Sequence, residues 1–324
     1  MDFALTDEQR MLVHTIRQFV YDELIPLEDD IEATGELAPD RARAIFEKSR
    51  DLGFYAMNIP EEFGGGGLSA VETMLVEEQF GHCKDILIRR AFGNVYEVLL
   101  EGDSAQKERW LLPTVRGERT CSIAITEPEA GSDAAGISTR AVRTDEGWTL
   151  NGGKYFVSDG IYSDFFVVSA VTDPDARPRH ISLFLVDKSL PGVRLGQDQK
   201  MMGLAGSSHV ELFFDDVHLE PGTLIGGEGN GLRLALTALG RVRLAQVGAR
   251  AIGKASRLLG YMADYANQRV QFGKNIGQFQ MIQQMLADSA IEINAARLML
   301  WRAATLIDRG GDARLVRARA VRAL

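Results

Sequence analysis

The spacing of apolar residues changes twice along the chain, and this constrains the fold more than any other feature. Apolar residues first recur at helical spacing, as at Leu12 and Ile16. Short β-rich runs separated by turn residues then replace the helical pattern, and long helical runs return afterwards. The sequence therefore predicts an α+β protein with an N-terminal helical domain (1–118), a middle β domain (119–225) and a C-terminal helical bundle (226–324).

Local signals mark several helix ends in the first domain. Residues 6–9 and 69–72 each fit a capping box, in which two side chains satisfy backbone donors at a helix start. Pro39 suits the first turn of a further helix, which Gly53 can end in a left-handed conformation. The glycine-rich run at 59–67 is predicted to lack regular structure.

The middle segment contains strands without intervening helices. The predicted strands are 122–125, 148–150, 165–171, 181–186 and 210–214. Because no helical pattern of about 10–15 residues separates them, a parallel βαβ sheet is not expected. The interpretation is a small antiparallel barrel or sandwich.

Composition excludes several classes of function. The 36 basic and 45 acidic residues give a net charge of −9, which disfavours binding to nucleic acid or anionic membranes. No apolar run approaches the roughly 20 residues of a membrane span. Cys83 and Cys121 are too few for a disulfide scaffold, and the acidic N-terminus does not resemble a targeting signal. The expected location is cytoplasmic.

Common catalytic motifs are missing from the sequence. The five histidines and two cysteines have no metal-ligand spacing, so no metal site is predicted. No G-x-S-x-G elbow and no phosphate-binding P-loop occurs. The glycines of 227–231 have the wrong spacing for a dinucleotide fingerprint.

Residues 125–133 are more informative and read I-T-E-P-E-A-G-S-D. One interpretation is a strand followed by an ordinary turn. The other is a loop that presents backbone N–H groups and the hydroxyls of Thr126 and Ser132 to an anionic or heteroaromatic ligand. Residue chemistry alone leaves both interpretations open.

Four segments, in the same order along the chain, resemble motifs of the acyl-CoA dehydrogenase family. They are 125–133, 150–158 (L-N-G-G-K-Y-F-V-S), 214–231 and 269–280. The similarity extends over essentially the whole chain.

That resemblance implies a flavoprotein that oxidises an acyl-CoA thioester to the 2-enoyl-CoA in fatty acid metabolism. In such enzymes a carboxylate removes the α-proton while the β-hydrogen leaves as hydride to FAD, and preorganised donors stabilise the enolate. The implied partners are the acyl-CoA substrate and an electron-transferring flavoprotein. A homo-oligomer, either a dimer or a tetramer, is also implied because neighbouring chains share the flavin site.

The resemblance also implies a set of cofactor-binding residues. They are Ile123, Ile125, Thr126, Gly131, Ser132, Phe156, Val157, Ser158, Arg269, Phe272 and Gln280. Phe156 stands where the family usually has Trp and would pack on the flavin ring. Ser158 replaces the usual Thr near flavin N5. Arg269 and Gln280 would reach the FAD of a neighbouring subunit.

Substrate binding is implied for three residues, Ser132, Arg241 and Arg243. Ser132 would lie where the flavin and the CoA portion approach each other. The two arginines align with a helix that contacts the CoA phosphates, whose negative charge they complement. A solvated helix face is the alternative for both arginines.

No catalytic residue can be assigned within the 324 residues. Most family members carry the catalytic Glu on a C-terminal loop, and some carry it on the helix corresponding to 241–245, where this sequence has Arg243. The expected Glu therefore lies beyond residue 324, and the chain alone is predicted not to dehydrogenate. Residues 313–324 form a helical pattern without a cap, which predicts truncation inside the C-terminal bundle.

Three alternatives remain open at this point. Residues 265–273 resemble crotonobetainyl-CoA reductase, which works in the opposite net direction, so an enoyl-CoA reductase is one of them. An O2-using flavoenzyme of the same fold is the second. The third is a catalytically inactive chain that binds FAD or acyl-CoA. The sequence does not indicate acyl chain length.

Overall fold

A computed structural model describes residues 4–93, 95–311 and 316, excluding the side chains of 238–243 and 245. The described residues divide into two compact units. The sheet unit comprises 30–67 and 89–238, and the helical unit comprises 1–29, 68–88 and 239–324. The helix predicted over 313–324 lies outside the described residues, except at Val316.

Ten α-helices occur among the described residues. They are α1 (Asp7–Phe19), α2 (Glu28–Thr34), α3 (Pro39–Asp51), α4 (Ala70–Phe80), α5 (Asp85–Ala91), α6 (Ser104–Gln106), α7 (Leu112–Val115), α8 (Gly231–Val242), α9 (Arg250–Gln268) and α10 (Gln280–Asp308). Turns of π-helix follow α1 over Val20–Leu24, join α6 to α7 over Lys107–Leu111, and join α8 to α9 over Arg243–Ala249.

The predicted helix starts are confirmed. Thr6 and Ser69 both form complete capping boxes, and Pro39 occupies the first turn of α3. Gly53 follows α3 with φ +75°, the left-handed conformation expected of it. The glycine-rich run is the exception, because Glu61–Phe63 form one 3₁₀ turn there. A single turn needs only i→i+3 hydrogen bonds, and the glycines that follow do not oppose them.

Eight strands belong to the sheet unit. They are β1 (Cys121–Ala124), β2 (Arg140–Thr144), β3 (Gly147–Ser158), β4 (Phe165–Asp173), β5 (His180–Asp187), β6 (Val193–Asp198), β7 (His209–Leu219) and β8 (Leu224–Ile225). In the helical unit, β9 (Val270–Gln271) and β10 (Lys274–Asn275) form a short hairpin.

The sheet has the order β6-β7-β3-β2-β4-β5-β8, with β1 paired to β4. Its pairs are antiparallel except β1–β4 and β2–β4, which are parallel. The α+β class is confirmed, but the purely antiparallel expectation is corrected to a mixed sheet. The β2–β3 hairpin supplies the connection between β1 and β4, so no helix is needed to return the chain in parallel.

Strand β4 is buried on both faces, which explains why its sequence is a continuous apolar run. Phe165 and Val167 pack in a cluster with Trp110 and Leu111, while Phe166 and Val168 pack in a second cluster with residues of β3, β5 and β7. Because both faces are buried, alternation between polar and apolar residues disappears. In the same sheet, β2 lies between this strand and β3.

The helical unit packs around α4, which is buried along almost its whole length. Its polar residues are paired, since Arg250 bonds Glu77 with an Nε–Oε2 distance of 2.6 Å and Arg297 bonds Glu78 at 2.9 Å. A Cβ atom on Gly253 of α9 would lie 2.1 Å from the Glu78 backbone oxygen. The absence of that side chain allows α9 to approach α4 closely.

Candidate functional site

The loop that follows β1 is attached to β3 by one buried lysine. Lys154 Nζ donates to the Ile125 carbonyl at 3.1 Å, to Glu127 Oε1 at 2.8 Å and to Ser169 Oγ at 3.1 Å. The Lys154 and Glu127 side chains are only 0% and 3% exposed. A buried charge pair of this kind is stable only when its remaining hydrogen-bonding capacity is also satisfied.

Glu127 meets that condition by accepting three further hydrogen bonds. Ser138 donates its backbone N–H and its hydroxyl to Oε2, both at 2.7 Å, and the Thr139 N–H donates to Oε1 at 3.0 Å. The carboxylate thus joins the loop after β1 to the segment that enters β2. The Tyr155 N–H adds a bond of 2.8 Å to the Thr126 carbonyl.

Both ionisable groups have shifted pKa values. Burial acts to raise the pKa of Glu127, but the hydrogen bonds from Lys154, Ser138 and Thr139 outweigh it and lower the pKa to about 2. Burial lowers the pKa of Lys154 to about 8, although the Glu127 carboxylate opposes that shift. Near neutral pH the pair is therefore ionised and holds the loop in place.

Phe156 projects from the end of β3 in an unusual backbone conformation. Its φ is +54°, it lies where the β3–β7 pairing shifts register between Lys154 and Val157, and its side chain is 48% exposed. Such a conformation in a non-glycine residue costs about 1–3 kcal/mol and persists when the surroundings enforce it, often at functional sites. Here the strained residue presents an aromatic face to solvent.

Hydroxyl groups lie both on strand β3 beside this ring and in the loop after β1. Thr126, Ser132 and Ser158 have no hydrogen-bond partner for their side chains within the described part of the chain. Gly131 is exposed, with nothing within 4 Å of the position a Cβ atom would occupy. An aromatic face, hydroxyls able to donate or accept, and open space above a glycine suit a planar heteroaromatic ring such as a flavin.

The remaining residues of this segment are less accessible. Ile123 and Ile125 are half-buried against the core, and Val157 is 1% exposed. Val157 therefore presents almost no surface to a ligand. Hydrogen bonds from Lys154 and Tyr155 to residues 125–127 join the predicted segments 123–127 and 156–158 within the sheet unit, and Gly131 and Ser132 lie in the loop that follows.

The other three predicted flavin contacts lie in the helical unit, at the hairpin after α9. Arg269 and Gln280 are exposed, and Phe272 is 93% exposed with φ +53°. The Phe272 and Phe279 rings meet edge to face, with centroids 6.2 Å apart. One exposed turn thus presents a cation, an amide and an aromatic ring.

Two predicted substrate contacts cannot be placed. The side chains of Arg241 and Arg243 lie outside the described residues, although their backbone is helical. Ser132, the third, is exposed in the loop after β1. Among residues 4–93, 95–311 and 316, no three His, Cys, Asp or Glu side chains cluster as metal ligands would.

Sequence reasoning missed the positioning roles of Lys154 and Glu127. Both residues lie inside the motifs that carry the family resemblance, yet neither contacts the flavin in the implied assignments. Two opposite charges within otherwise apolar or turn-forming segments were the available signal, since buried charges occur in pairs.

Comparison with known proteins shows which family the chain resembles along its length. Residues 6–118, 122–217 and 229–323 match the family profiles described as the N-terminal, middle and C-terminal domains of acyl-CoA dehydrogenase. The chain is 35% identical over 318 residues to acryloyl-CoA reductase (NADH) from Anaerotignum propionicum, a match that covers 96% of this chain and 79% of the relative.

Two solved structures are similar throughout. Butyryl-CoA dehydrogenase from Megasphaera elsdenii superposes with a TM-score of 0.88 at 31% identity, covering 99% of this chain and 84% of that one. The FAD complex of PigA superposes with a TM-score of 0.89 at 28% identity, with the same coverage.

Proposed function

Because the chain belongs to the acyl-CoA dehydrogenase family, we propose that it is an FAD-dependent oxidoreductase acting on the α and β carbons of an acyl-CoA thioester. The observation that carries this proposal is the site at the end of β3. There a strained, half-exposed Phe156 and three hydroxyls without partners in the described chain lie on segments joined by a buried ion pair.

Each group of this site has a separate role. The Phe156 ring would pack against the flavin, and the Thr126 and Ser158 hydroxyls would hydrogen-bond to its heteroatoms. Lys154 and Glu127 are positioning residues, since they act by holding the loop after β1 against β3. FAD supplies the hydride acceptor when it is bound. Ser132, Arg241 and Arg243 are proposed to bind the CoA portion.

Titration of the protein with FAD tests the cofactor site. We expect one FAD per chain, and we expect Phe156→Ser to weaken FAD binding about tenfold because an aromatic contact of about 1–1.5 kcal/mol is lost. Val142→Ser is the matched control, because Val142 is 55% exposed on β2 but outside the site. Unchanged FAD affinity in Phe156→Ser would contradict the proposed role of this ring.

The catalytic base is proposed to lie outside these 324 residues. No Glu occurs between Glu228 and Glu292, and the position where some relatives carry the base is Arg243. On this proposal the present residues bind and orient the flavin and the thioester, and a further carboxylate takes the α-proton.

The net direction of the reaction has a second candidate. One relative is named an acryloyl-CoA reductase and is 35% identical, which supports an enoyl-CoA reductase on the same site. Comparing acyl-CoA oxidation with enoyl-CoA reduction, in a protein supplied with the carboxylate segment, distinguishes the two. Turnover that requires O2 would instead indicate an O2-using flavoenzyme.

A homo-oligomer is the proposed assembly. Four apolar side chains recur at helical spacing along one side of α9 and are 43–60% exposed: Leu258, Tyr261, Met262 and Tyr265. A face of this kind normally contacts another surface. A dimer or tetramer would cover it, and Arg269 and Gln280 would then reach a neighbouring chain's FAD.

The remaining expectations concern location, electron transfer and domains. No helix in the described chain is both long and apolar enough to cross a membrane. We propose a cytoplasmic enzyme of fatty acid metabolism that passes electrons to an electron-transferring flavoprotein, with domains at 1–118, 119–225 and 226–324. Cell fractionation and reduction of a purified electron-transferring flavoprotein test the first two points, and limited proteolysis tests the boundaries.

A further inference from the structure

The sheet unit contains a cavity that the proposed reaction does not use. Its volume is about 340 Å³, within the range of small-molecule sites. Residues of α3, of the segment 89–90, of the approach to β1 and of the β3–β4 turn line it. None of these residues is among those proposed to bind FAD. We call it the Arg90 cavity.

The charges that line the Arg90 cavity do not balance. Arg43 at the rim pairs with Glu47 at 3.3 Å, and the nearly buried Arg89 pairs with Asp159 at 3.1 Å. Arg90 has no carboxylate partner among the described residues, and its guanidinium instead lies 4.4 Å from the Tyr162 ring centroid. One cation in the wall is therefore available for an anion.

Two hydroxyls of the wall already have partners. Ser163 Oγ donates to the Asp159 carbonyl at 3.1 Å and contacts Ser122 Oγ, and Thr120 Oγ1 donates to the Tyr162 carbonyl at 2.6 Å. Burial raises the pKa of Cys121 to about 12, so its sulfur is a neutral thiol. Recognition of an anion here depends on the Arg90 guanidinium.

Aromatic rings form the apolar part of the wall. Phe46 and Tyr55 meet edge to face, with centroids 5.0 Å apart. A glycine with positive φ lies behind each ring: a Cβ atom on Gly117 would lie 2.3 Å from the Phe46 ring, and one on Gly93 would lie 2.5 Å from the Tyr55 ring. The backbone is therefore built to admit both rings at this cavity.

We propose that the Arg90 cavity binds a small carboxylic acid anion with a flat apolar body. The carboxylate pairs with the Arg90 guanidinium, whose planar donors match it, and the body lies against Phe46 and Tyr55. The cavity volume accommodates a single-ring acid and excludes acyl-CoA itself. This site is separate from the one proposed to bind FAD.

Calorimetric titration of the FAD-loaded protein with sodium benzoate tests the proposal. We expect one benzoate per chain with a dissociation constant at or below about 1 mM. Arg90→Gln should weaken binding about tenfold or more, because a charge-assisted pair is lost. Ala42→Leu, which fills the cavity from α3, should abolish binding while leaving FAD content unchanged.

Arg50→Gln is the matched control. Arg50 also lies over the Phe46 ring, at 5.5 Å, but does not line the cavity, so its replacement should leave the benzoate affinity unchanged. Benzamide lacks the negative charge of benzoate, and inorganic phosphate lacks its apolar ring. Both ligands should therefore bind more weakly than benzoate.

Four results would overturn the proposal. They are no saturable benzoate binding, unchanged affinity in a folded Arg90→Gln variant, equal affinity for benzamide, and equal affinity for phosphate. If the Arg90→Gln variant does not fold, the Ala42→Leu variant alone tests the proposal. Retained benzoate binding in that variant contradicts the assignment.

Discussion

At the residue scale, the geometry of the proposed flavin site depends on Lys154 and Glu127. The two residues are 27 positions apart, and their contact closes the loop after β1 onto β3. The family motifs contain both residues, but their contact depends on the fold, so residue patterns could nominate Thr126 and Phe156 for the proposed site without revealing what holds their segments in place.

Replacing one partner of this ion pair should be costly. We expect Lys154→Met to lower the free energy of unfolding by about 3–5 kcal/mol, because Glu127 would remain buried without its cation. The double variant Lys154→Met/Glu127→Gln should recover part of that loss. Chemical denaturation measures the free energy of unfolding of both variants. Equal stability of the wild-type and Lys154→Met proteins would show that the pair does not hold the loop.

Lowering the pH should weaken the interaction between Lys154 and Glu127 within a defined pH range. The folded-state pKa of Glu127 is about 2, which lies below the usual value of about 4.3. Glu127 therefore stabilises the folded protein fully at pH values above about 4.3. This stabilisation is lost as pH falls toward 2. Between pH 4 and 2, the wild-type protein should therefore lose more unfolding free energy than Glu127→Gln does. Parallel stability profiles would contradict the lowered pKa.

At the element scale, sequence patterns located elements with strong local signals. The capping boxes of α1 and α4 were predictable because each depends on side chains three residues apart. Strands β2 and β6 were not predicted because they are largely exposed; only Ala141 of β2 is buried. Their pairing, rather than their own sequence, makes them strands.

The crossing of α4 and α9 provides a test at this scale. Gly253→Ala should destabilise the protein by about 1–3 kcal/mol, because its Cβ atom would collide with the Glu78 backbone oxygen. Gly260→Ala is the control on the same helix, since nothing lies within 4 Å of its Cβ position. It should be stabilising by about 0.5–1 kcal/mol. Thermal unfolding of both variants measures the difference, and similar effects would contradict the close approach.

At the scale of the whole molecule, the exposed face of α9 predicts self-association. Light scattering should give a mass of at least two chains for the wild-type protein. Leu258→Glu should shift the mass toward one chain, because it places a charge within the apolar face. Asp264→Asn, on the same helix, is the control and should leave the mass unchanged. A monomeric wild-type protein would contradict the proposed assembly.

Three-part organisation was predictable at this scale, because the period of the apolar residues changes between helical and strand spacing. The grouping of the described residues into two compact units was not predictable. Residues 68–88 group with the C-terminal helices through contacts such as Arg250–Glu77, which join positions 173 residues apart. No local pattern encodes such a pairing.

Anaerobic titration of the FAD-loaded 324-residue protein with acyl-CoA tests the central claim most directly. Acyl-CoA should perturb the visible flavin spectrum in a saturable way, because we propose that the thioester binds beside the flavin. The flavin band should not be bleached, because the proposed catalytic base lies outside these residues. A flavin spectrum that acyl-CoA leaves unchanged would contradict the proposed site. Rapid bleaching with formation of enoyl-CoA would instead show that one of these 324 residues acts as the base.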